Sequence, residues 1–472
     1  MKQFFMFLTC LLCSLISTAQ VFDVENIKLA GDDDKRINLV ILGDGYQTSE
    51  LDQFVTDATN FTTELFSQSP FLEYSDYFNV YAIKVPSNES GADHPATATD
   101  VTEPLTPITT ADTYFNSTFD GFGFHRLLFY GIDYPDSNAA RSKIITVLAD
   151  NFPAYDQALI LVNSTVYGGS GGEFPMSSMA ASANEIAIHE LGHSLFDLLD
   201  EYYPGDGRLR EDINSTKESD PSLIKWKNWL SDNGVGIYPY GTSGEAATWN
   251  RPHQNCKMRY LGRPFCAVCK EGMIEKIHDL VSPVDNFTPN NDGAVENPTF
   301  PLDFQLSLTK PNPNTLESTW ILNGNTVGNN VDAVSLLETD LVEGTNTLSA
   351  IITDESPMLR VDNHDTIHVN TVAWTINYST LSIEDIDAKA SRYNIALYPN
   401  PTNSILNFKF ESNTYAPVKV NITSLDGKQL KSLILSNYES IEINISDFSS
   451  GIYIANFYTN NTLLTSRKIV KN

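Results

Sequence analysis

The hydrophobic periodicity of this chain changes near residue 282, and that change restricts its architecture more than any other feature. Up to about Val281, short apolar runs alternate with stretches of helical spacing. Ile37 to Gly43 (INLVILG) is an apolar run bounded by charge and glycine, and it predicts a buried strand. Ser49 to Ser67 places Leu51, Phe54, Val55, Ala58, Phe61 and Leu65 on one helical side. Phe78 to Val85 and Ala158 to Val162 predict two more strands, and Asn184 to Leu199 and Lys270 to Leu280 two more helices. Strands interleaved with helices indicate α/β layers. After Ser282 the helical spacing stops. Phe304 to Leu308, Ser318 to Leu322, Thr347 to Thr353 and Thr366 to Val372 alternate and are separated by turn residues, the pattern of a small immunoglobulin-like β-sandwich without a cysteine pair. From about Ile383 further short strands are expected at 405–410, 418–424 and 451–458, with Leu425-Asp426-Gly427-Lys428 as a tight turn.

The N-terminus indicates the compartment. Lys2, an apolar run from Phe4 to Ile16 and then Ser17-Thr18-Ala19-Gln20 have the layout of a secretory signal peptide, cleaved after Ala19. The run is about 13 residues, short of the ~20 that span a bilayer as a helix, and no transmembrane segment is expected elsewhere. The boundaries expected are 1–19 for the signal peptide, 20–282 for a catalytic domain, 283–380 for the sandwich and 383–472 for a last β domain. A net charge of −29 argues against nucleic acid as a partner.

The chemistry centres on His189-Glu190-Leu191-Gly192-His193. On a helix, residues four apart share a face about 6 Å apart. Two imidazoles so placed can bind one Zn²⁺ through nitrogen, and the glutamate between them can take a proton from a zinc-activated water. Glu190 is therefore the expected general base, and His189 and His193 the expected metal ligands. A catalytic zinc needs a third protein ligand. Asp200 is preferred, with Glu201 or a distant glutamate as alternatives. On a straight helix Asp200 would lie about 10 Å beyond His193, so the chain must bend between them. Families that make this bend place a glycine three residues after the second histidine; Phe196 stands there instead. Asn184 is the expected N-cap.

Downstream, Cys256-Lys257-Met258-Arg259-Tyr260 resembles the metzincin Met-turn. That resemblance implies that Met258 forms a floor beneath the metal and that Tyr260 stabilises the oxyanion. Cys256, Cys266 and Cys269 would remain after signal cleavage. An exported protein predicts a disulfide from Cys256 to Cys266 or Cys269, with a second zinc on His253, Cys256, Cys266 and Cys269 as the alternative. Tyr167-Gly168-Gly169-Ser170-Gly171-Gly172 is expected to form an edge to which substrate backbone pairs as an added strand.

These segments, with Leu42-Gly43-Asp44-Gly45-Tyr46, the 85–95 segment and Asp200-Glu201-Tyr202-Tyr203, make residues 30–280 resemble the IgA-specific metalloendopeptidase family. The resemblance implies a zinc-dependent endopeptidase with a metzincin-like catalytic domain acting on protein or peptide substrates, and it leaves the substrate open. Tyr398-Pro399-Asn400-Pro401-Thr402, Ser424-Leu425-Asp426-Gly427-Lys428, the 448–457 run FSSGIYIANF and the basic terminus resemble the sorting domain read by the type IX secretion system. That implies outer-membrane secretion machinery as a partner and a secreted or cell-surface location. The expected protein is thus multidomain: an α/β metzincin-like zinc peptidase domain, an immunoglobulin-like β-sandwich and a small all-β sorting domain. A non-catalytic surface adhesin with a decayed peptidase domain is the alternative; the intact His189, Glu190 and His193 favour the enzyme.

Overall fold

The computed structural model describes residues 21–131, 136–362, 364–379, 393–412, 417–435, 441–459 and 462–472. The expected signal peptide lies outside the described residues. The central sheet begins with β1 (Val24–Lys28) and β2 (Ile37–Asp44), the latter buried at all its positions. Helix α1 (Leu51–Leu65) leads to β3 (Phe78–Ile83), and α2 (Asp136–Asn151) leads to β4 (Gln157–Val162). Two short strands, β5 (Gly169–Ser170) and β6 (Met176–Ser178), complete a sheet of order β1-β3-β2-β4-β6-β5. β2 runs parallel to β3 and β4, and β4 to β6; the outer strands β1 and β5 are antiparallel to their neighbours.

Strand side chains alternate between faces, so β2 serves two cores at once. Leu39 and Ile41 pack with Phe54, Phe61 and Leu65 of α1, with Ile188 and Leu191 of α3 (Asn184–Ser194) and with Ile274 and Ile277 of α4 (Ala267–Leu280). Val40 and Leu42 pack on the other side with Ile144, Val147 and Leu148 of α2. Each fully buried Leu, Ile or Phe contributes about 1.5–3 kcal/mol. Helix α2 is absent from the sequence expectation. Its β-branched run Ile144-Ile145-Thr146-Val147 reads locally as strand, and the helical face emerges only when Ala140 and Leu148 are included.

The chain divides into two compact units: one takes residues up to Asn290 with 303–335 and 348–373, the other 291–302, 336–347 and 374–472. In the first, the segment after α4 adds antiparallel pairings, Val284 to Thr288 with Gln305 to Leu308, and Leu316 to Leu322 with Leu348 to Asp354. Arg36 clamps Asp285 with two hydrogen bonds of 2.6 and 2.8 Å. The strand expected at 366–372 is displaced: His364–Ile367 forms a helical turn, and the strand runs Asn370–Tyr378. In the second unit, Tyr393–Tyr398, Ile405–Ser412 and Ile441–Asn444 form one sheet. Gln429–Leu435, Val418–Ser424, Gly451–Thr459 and Thr462–Lys471 form another. Leu406, Phe408, Val420, Ile422, Phe457 and Ile469 make their shared core. The turn at Leu425–Lys428 is present, with Gly427 at φ 84° donating to the Ser424 carbonyl.

Candidate active site

Helix α3 buries Ala187, Ile188 and Leu191 in the core, turns Glu190 and His193 toward a cleft and places the buried His189 beside them. Asn184 does not cap it. Ala183 occupies the N-cap, and the Asn184 amide donates to Glu64 Oε2 at 2.7 Å, a tertiary bond that outcompetes the local one. The two imidazoles are held by backbone: Nδ1 of His189 lies 3.0 Å from the Lys257 carbonyl, and Nδ1 of His193 lies 2.5 Å from the Leu198 carbonyl. A carbonyl can only accept, so each Nδ1 carries the proton and each Nε2 keeps its lone pair. The two Nε2 atoms are 3.2 Å apart.

The helix ends well before Leu199. Asp197 N–H donates to the His193 carbonyl at 3.1 Å, and Asp197 has φ 57°, a left-handed helix cap. The bend expected at Phe196 thus falls one residue later, on a residue type that tolerates the left-handed region. Phe196 is free to be a core residue; its ring lies 5.6 Å from that of Phe71. Beyond the bend the chain is non-helical, and successive side chains point opposite ways. Asp200 Oδ1 stands 3.2 Å from Nε2 of His189 and 3.2 Å from Nε2 of His193. Glu201 turns away into the interior, fully buried. Burial alone would raise the Asp200 carboxyl, but the imidazoles beside it hold it well below the usual carboxylate range.

The three donor atoms thus form a triangle with 3.2 Å edges. Ligands at 2.0–2.1 Å around a tetrahedral zinc would stand about 3.3 Å apart, so the donor set fits the ion in type and spacing. Glu190 sits at the rim of this triangle. Burial raises its carboxyl above the ordinary value; the two imidazoles oppose the shift and Asp200 adds to it. A cleft of about 410 Å³ opens here, lined by Gly172, Glu190, His193, Asp200, Arg208 and Arg210 among others.

Residues 26–240 match the family described as IgA Peptidase M64. The matched segment includes α3, Asp200 and Glu201. Residues 396–472 match a secretion system C-terminal sorting domain, which indicates export to the surface or the medium by the type IX machinery. No helix among the described residues is long and apolar enough to cross a membrane. No curated protein matches the chain. Similar solved structures include latent PorU of Porphyromonas gingivalis, at 14% identity and TM-score 0.15 over 40% of this chain and 20% of that one. A β-glucuronidase of Parabacteroides merdae is 8% identical, with TM-score 0.15 over 48% and 28%. The Bacteroides ovatus glucan-utilization protein SGBP-B is 9% identical, with TM-score 0.15 over 40% and 70%. The chain spans less than a third of the length of the first two.

The peptidase match stops short of the Met258 turn, yet the fold brings that turn under α3. Met258 is fully buried, and a Cβ on Gly192 would stand 2.8 Å from its Sδ. Tyr260 is half exposed, with the Arg259 guanidinium 4.8 Å from its ring centre. Tyr202, to which the sequence expectation gives no role, is about half exposed, and burial together with the nearby Asp200 carboxylate pushes its hydroxyl up. Its place in Asp200-Glu201-Tyr202, two residues after the preferred ligand, is the available signal. Arg208 and Arg210 had none. The expected substrate edge is narrower than predicted: Gly169 is already bonded to the 126–128 segment, its N–H to Arg126 O at 3.1 Å and its carbonyl from Leu128 N at 3.3 Å. Open backbone begins at Gly171. No disulfide joins Cys256, Cys266 and Cys269; all three are buried free thiols. His253 is not among the residues grouped with them. Its Nδ1 accepts from Asn255 N at 3.0 Å, and Glu201 takes the fourth position.

Proposed function

We propose that this chain is a secreted zinc-dependent endopeptidase that hydrolyses peptide bonds of extracellular proteins, with His189, His193 and Asp200 as metal ligands and Glu190 as general base. The observation that carries this reading is the 3.2 Å triangle of two imidazole lone pairs and one carboxylate oxygen, together with the peptidase-family match over the same residues. A zinc ion held there would supply a Lewis acid and a water acidified toward neutrality. Glu190, with a carboxyl pushed upward by burial, takes the proton of the attacking water and returns it to the leaving amine. Tyr260, the residue expected from the Met-turn resemblance, and Tyr202, whose hydroxyl feels the charge of Asp200, are the two candidate oxyanion donors. Substrate backbone pairs along Gly171 and Gly172, and Arg208 lines that side of the cleft with positive charge, the Arg210 guanidinium being paired with Asp212. The metzincin-like reading is supported by Met258 beneath Gly192.

The boundaries follow: a signal peptide over 1–19, the catalytic domain over 20–282, an immunoglobulin-like sandwich over 283–380 and the sorting domain over 383–472. The test pairs zinc content with cleavage of a random peptide library. Glu190→Ala keeps zinc and loses hydrolysis, by at least the 10²–10⁴-fold of general-base catalysis; His193→Ala loses both. A fully active Glu190→Ala enzyme would overturn the mechanism.

A further inference from the structure

Behind the first metal triangle lies a second cluster of donors. Glu201, Cys256, Cys266 and Cys269 are all buried, and one donor atom from each lies within 4.8 Å of the others. Cys269 Sγ is 3.2 Å and Cys266 Sγ 3.7 Å from Glu201 Oε1, and the sulfurs of Cys256 and Cys269 are 3.7 Å apart. Glu201 Oε2 has no partner at all. A carboxylate in the interior costs several kcal/mol unless a cation or a full set of hydrogen bonds compensates it. Here Oε1 receives only thiols and the Asn214 amide at 3.4 Å. The guanidinium of Arg251 acts on Glu201 from a distance, but it donates to the Tyr240 carbonyl and makes no ion pair with the carboxylate.

We propose that Glu201, Cys256, Cys266 and Cys269 hold a structural zinc ion, separate from the one at His189, His193 and Asp200. Two thiolates at 2.3 Å from a tetrahedral zinc stand about 3.8 Å apart, and a thiolate and a carboxylate oxygen about 3.5 Å; the observed S–S separation of 3.7 Å is close to the first, and the S–O separations of 3.2 and 3.7 Å lie on either side of the second. Cys266 and Cys269 are spaced as C-x₂-C, the common zinc-binding spacing. They sit at the N-cap and in the first turn of α4, where the helix end favours negative charge. Cys256 Sγ accepts from the Cys266 backbone N–H at 3.2 Å, and Asn214 Nδ2 lies 3.6 Å from Cys269 Sγ. Such outer hydrogen bonds orient metal ligands. On binding, the three thiols release their protons to solvent and become thiolates.

The placement gives the ion a purpose. Glu201 adjoins Asp200, and its N–H donates to the Met258 carbonyl at 2.7 Å. Cys256 adjoins Lys257, whose carbonyl holds His189. One ion would therefore lock the segment carrying Asp200, the Met258 turn and the start of α4 together from behind.

The experiment uses the full chain and its His189→Ala/His193→Ala variant, which removes the first site. Metal analysis is expected to find two zinc ions per chain in the parent and one in the variant. Replacement of zinc by Co²⁺ is expected to give thiolate-to-cobalt charge-transfer absorption in both; the His/Asp site contains no sulfur and cannot produce it. Glu201→Gln and Cys269→Ser each lower the zinc count by one in the variant background. Should those substitutions prevent folding, the cobalt spectrum of the parent chain decides alone. A variant that binds no zinc, a cobalt form without the charge-transfer band, or non-reducing peptide mapping that finds Cys256 bonded to Cys266 or Cys269 would each overturn the proposal. None of these readouts depends on hydrolysis, so the peptidase reading stands or falls separately.

Discussion

Glu190 is seated directly against Gly171: a Cβ built on that glycine would stand 2.0 Å from Glu190 Oε2. No side chain fits there unless the carboxylate moves. Gly171→Ala is expected to preserve the thermal midpoint and the zinc content and to lower kcat/KM on the order of 10²-fold, the cost of displacing a catalytic group by about 1 Å. Equal activity in the variant would show that Glu190 does not act from this position.

Asp197 carries the bend that returns the chain to the metal triangle, with φ 57°. Its ion pair with Lys276 at 3.0 Å is solvent-exposed and contributes little. Asp197→Gly should therefore leave stability within about 0.5 kcal/mol, whereas Asp197→Val should cost about 1–2 kcal/mol through left-handed strain and weaken zinc retention on dialysis. Denaturation of the first unit, followed by tryptophan fluorescence, separates the two; equal midpoints would refute the assignment of the bend.

The two tyrosines make opposite forecasts. Tyr202→Phe removes a hydroxyl that feels the Asp200 charge and, if that hydroxyl is the oxyanion donor, should lower kcat on the order of 10²-fold with KM little changed. If Tyr202 is the donor, Tyr260→Phe should leave both constants unchanged; both rings are about half exposed, so exposure alone does not choose between them. Steady-state kinetics on one peptide suffices, and the reverse order would return the role to Tyr260.

The first unit also carries a titrating network away from the cleft. Glu275 lies between His364 Nδ1 at 2.6 Å and His368 Nδ1 at 3.2 Å, and His368 Nε2 meets Asp279 at 2.9 Å. His278, paired with Asp354 at 2.8 Å, packs beside them. The Glu275 carboxylate, accepting from the His368 imidazolium, pushes His368 up to about 9 from its ordinary 6.5, against the opposing effect of burial. Its stabilisation is therefore complete below pH 6.5 and is lost as pH rises through about 9. Burial would raise Glu275, but the two histidines override it and hold it at about 2, against 4.5 ordinarily. That contribution is present above pH 4.5 and is lost as pH falls toward 2. Thermal midpoints should be flat between pH 4.5 and 6.5 and decline on both sides. His368→Gln should flatten the alkaline decline, and an unchanged slope would assign it to other groups.

The sequence by itself determined the features that depend on short-range spacing. His189, Glu190 and His193 share a helix face because residues four apart always do. Ile37 to Gly43 reads as a buried strand because its apolar residues form one run, broken only by Asn38, between charged and glycine residues. The C-x₂-C spacing at Cys266 and Cys269 and the turn at Gly427 were legible for the same reason. Tertiary structure decided what depends on long-range approach. Asp200 and Glu201 are chemically near-equivalent neighbours, and only the bend at Asp197 sends one to the histidines and the other to the thiols. Glu201 meets Cys269 across 68 positions, and no local pattern could prefer it to His253, which lies three residues from Cys256. The bend fell on Asp197 rather than on Phe196 because the core claims the Phe196 ring, a demand set by Phe71 from a distant part of the chain.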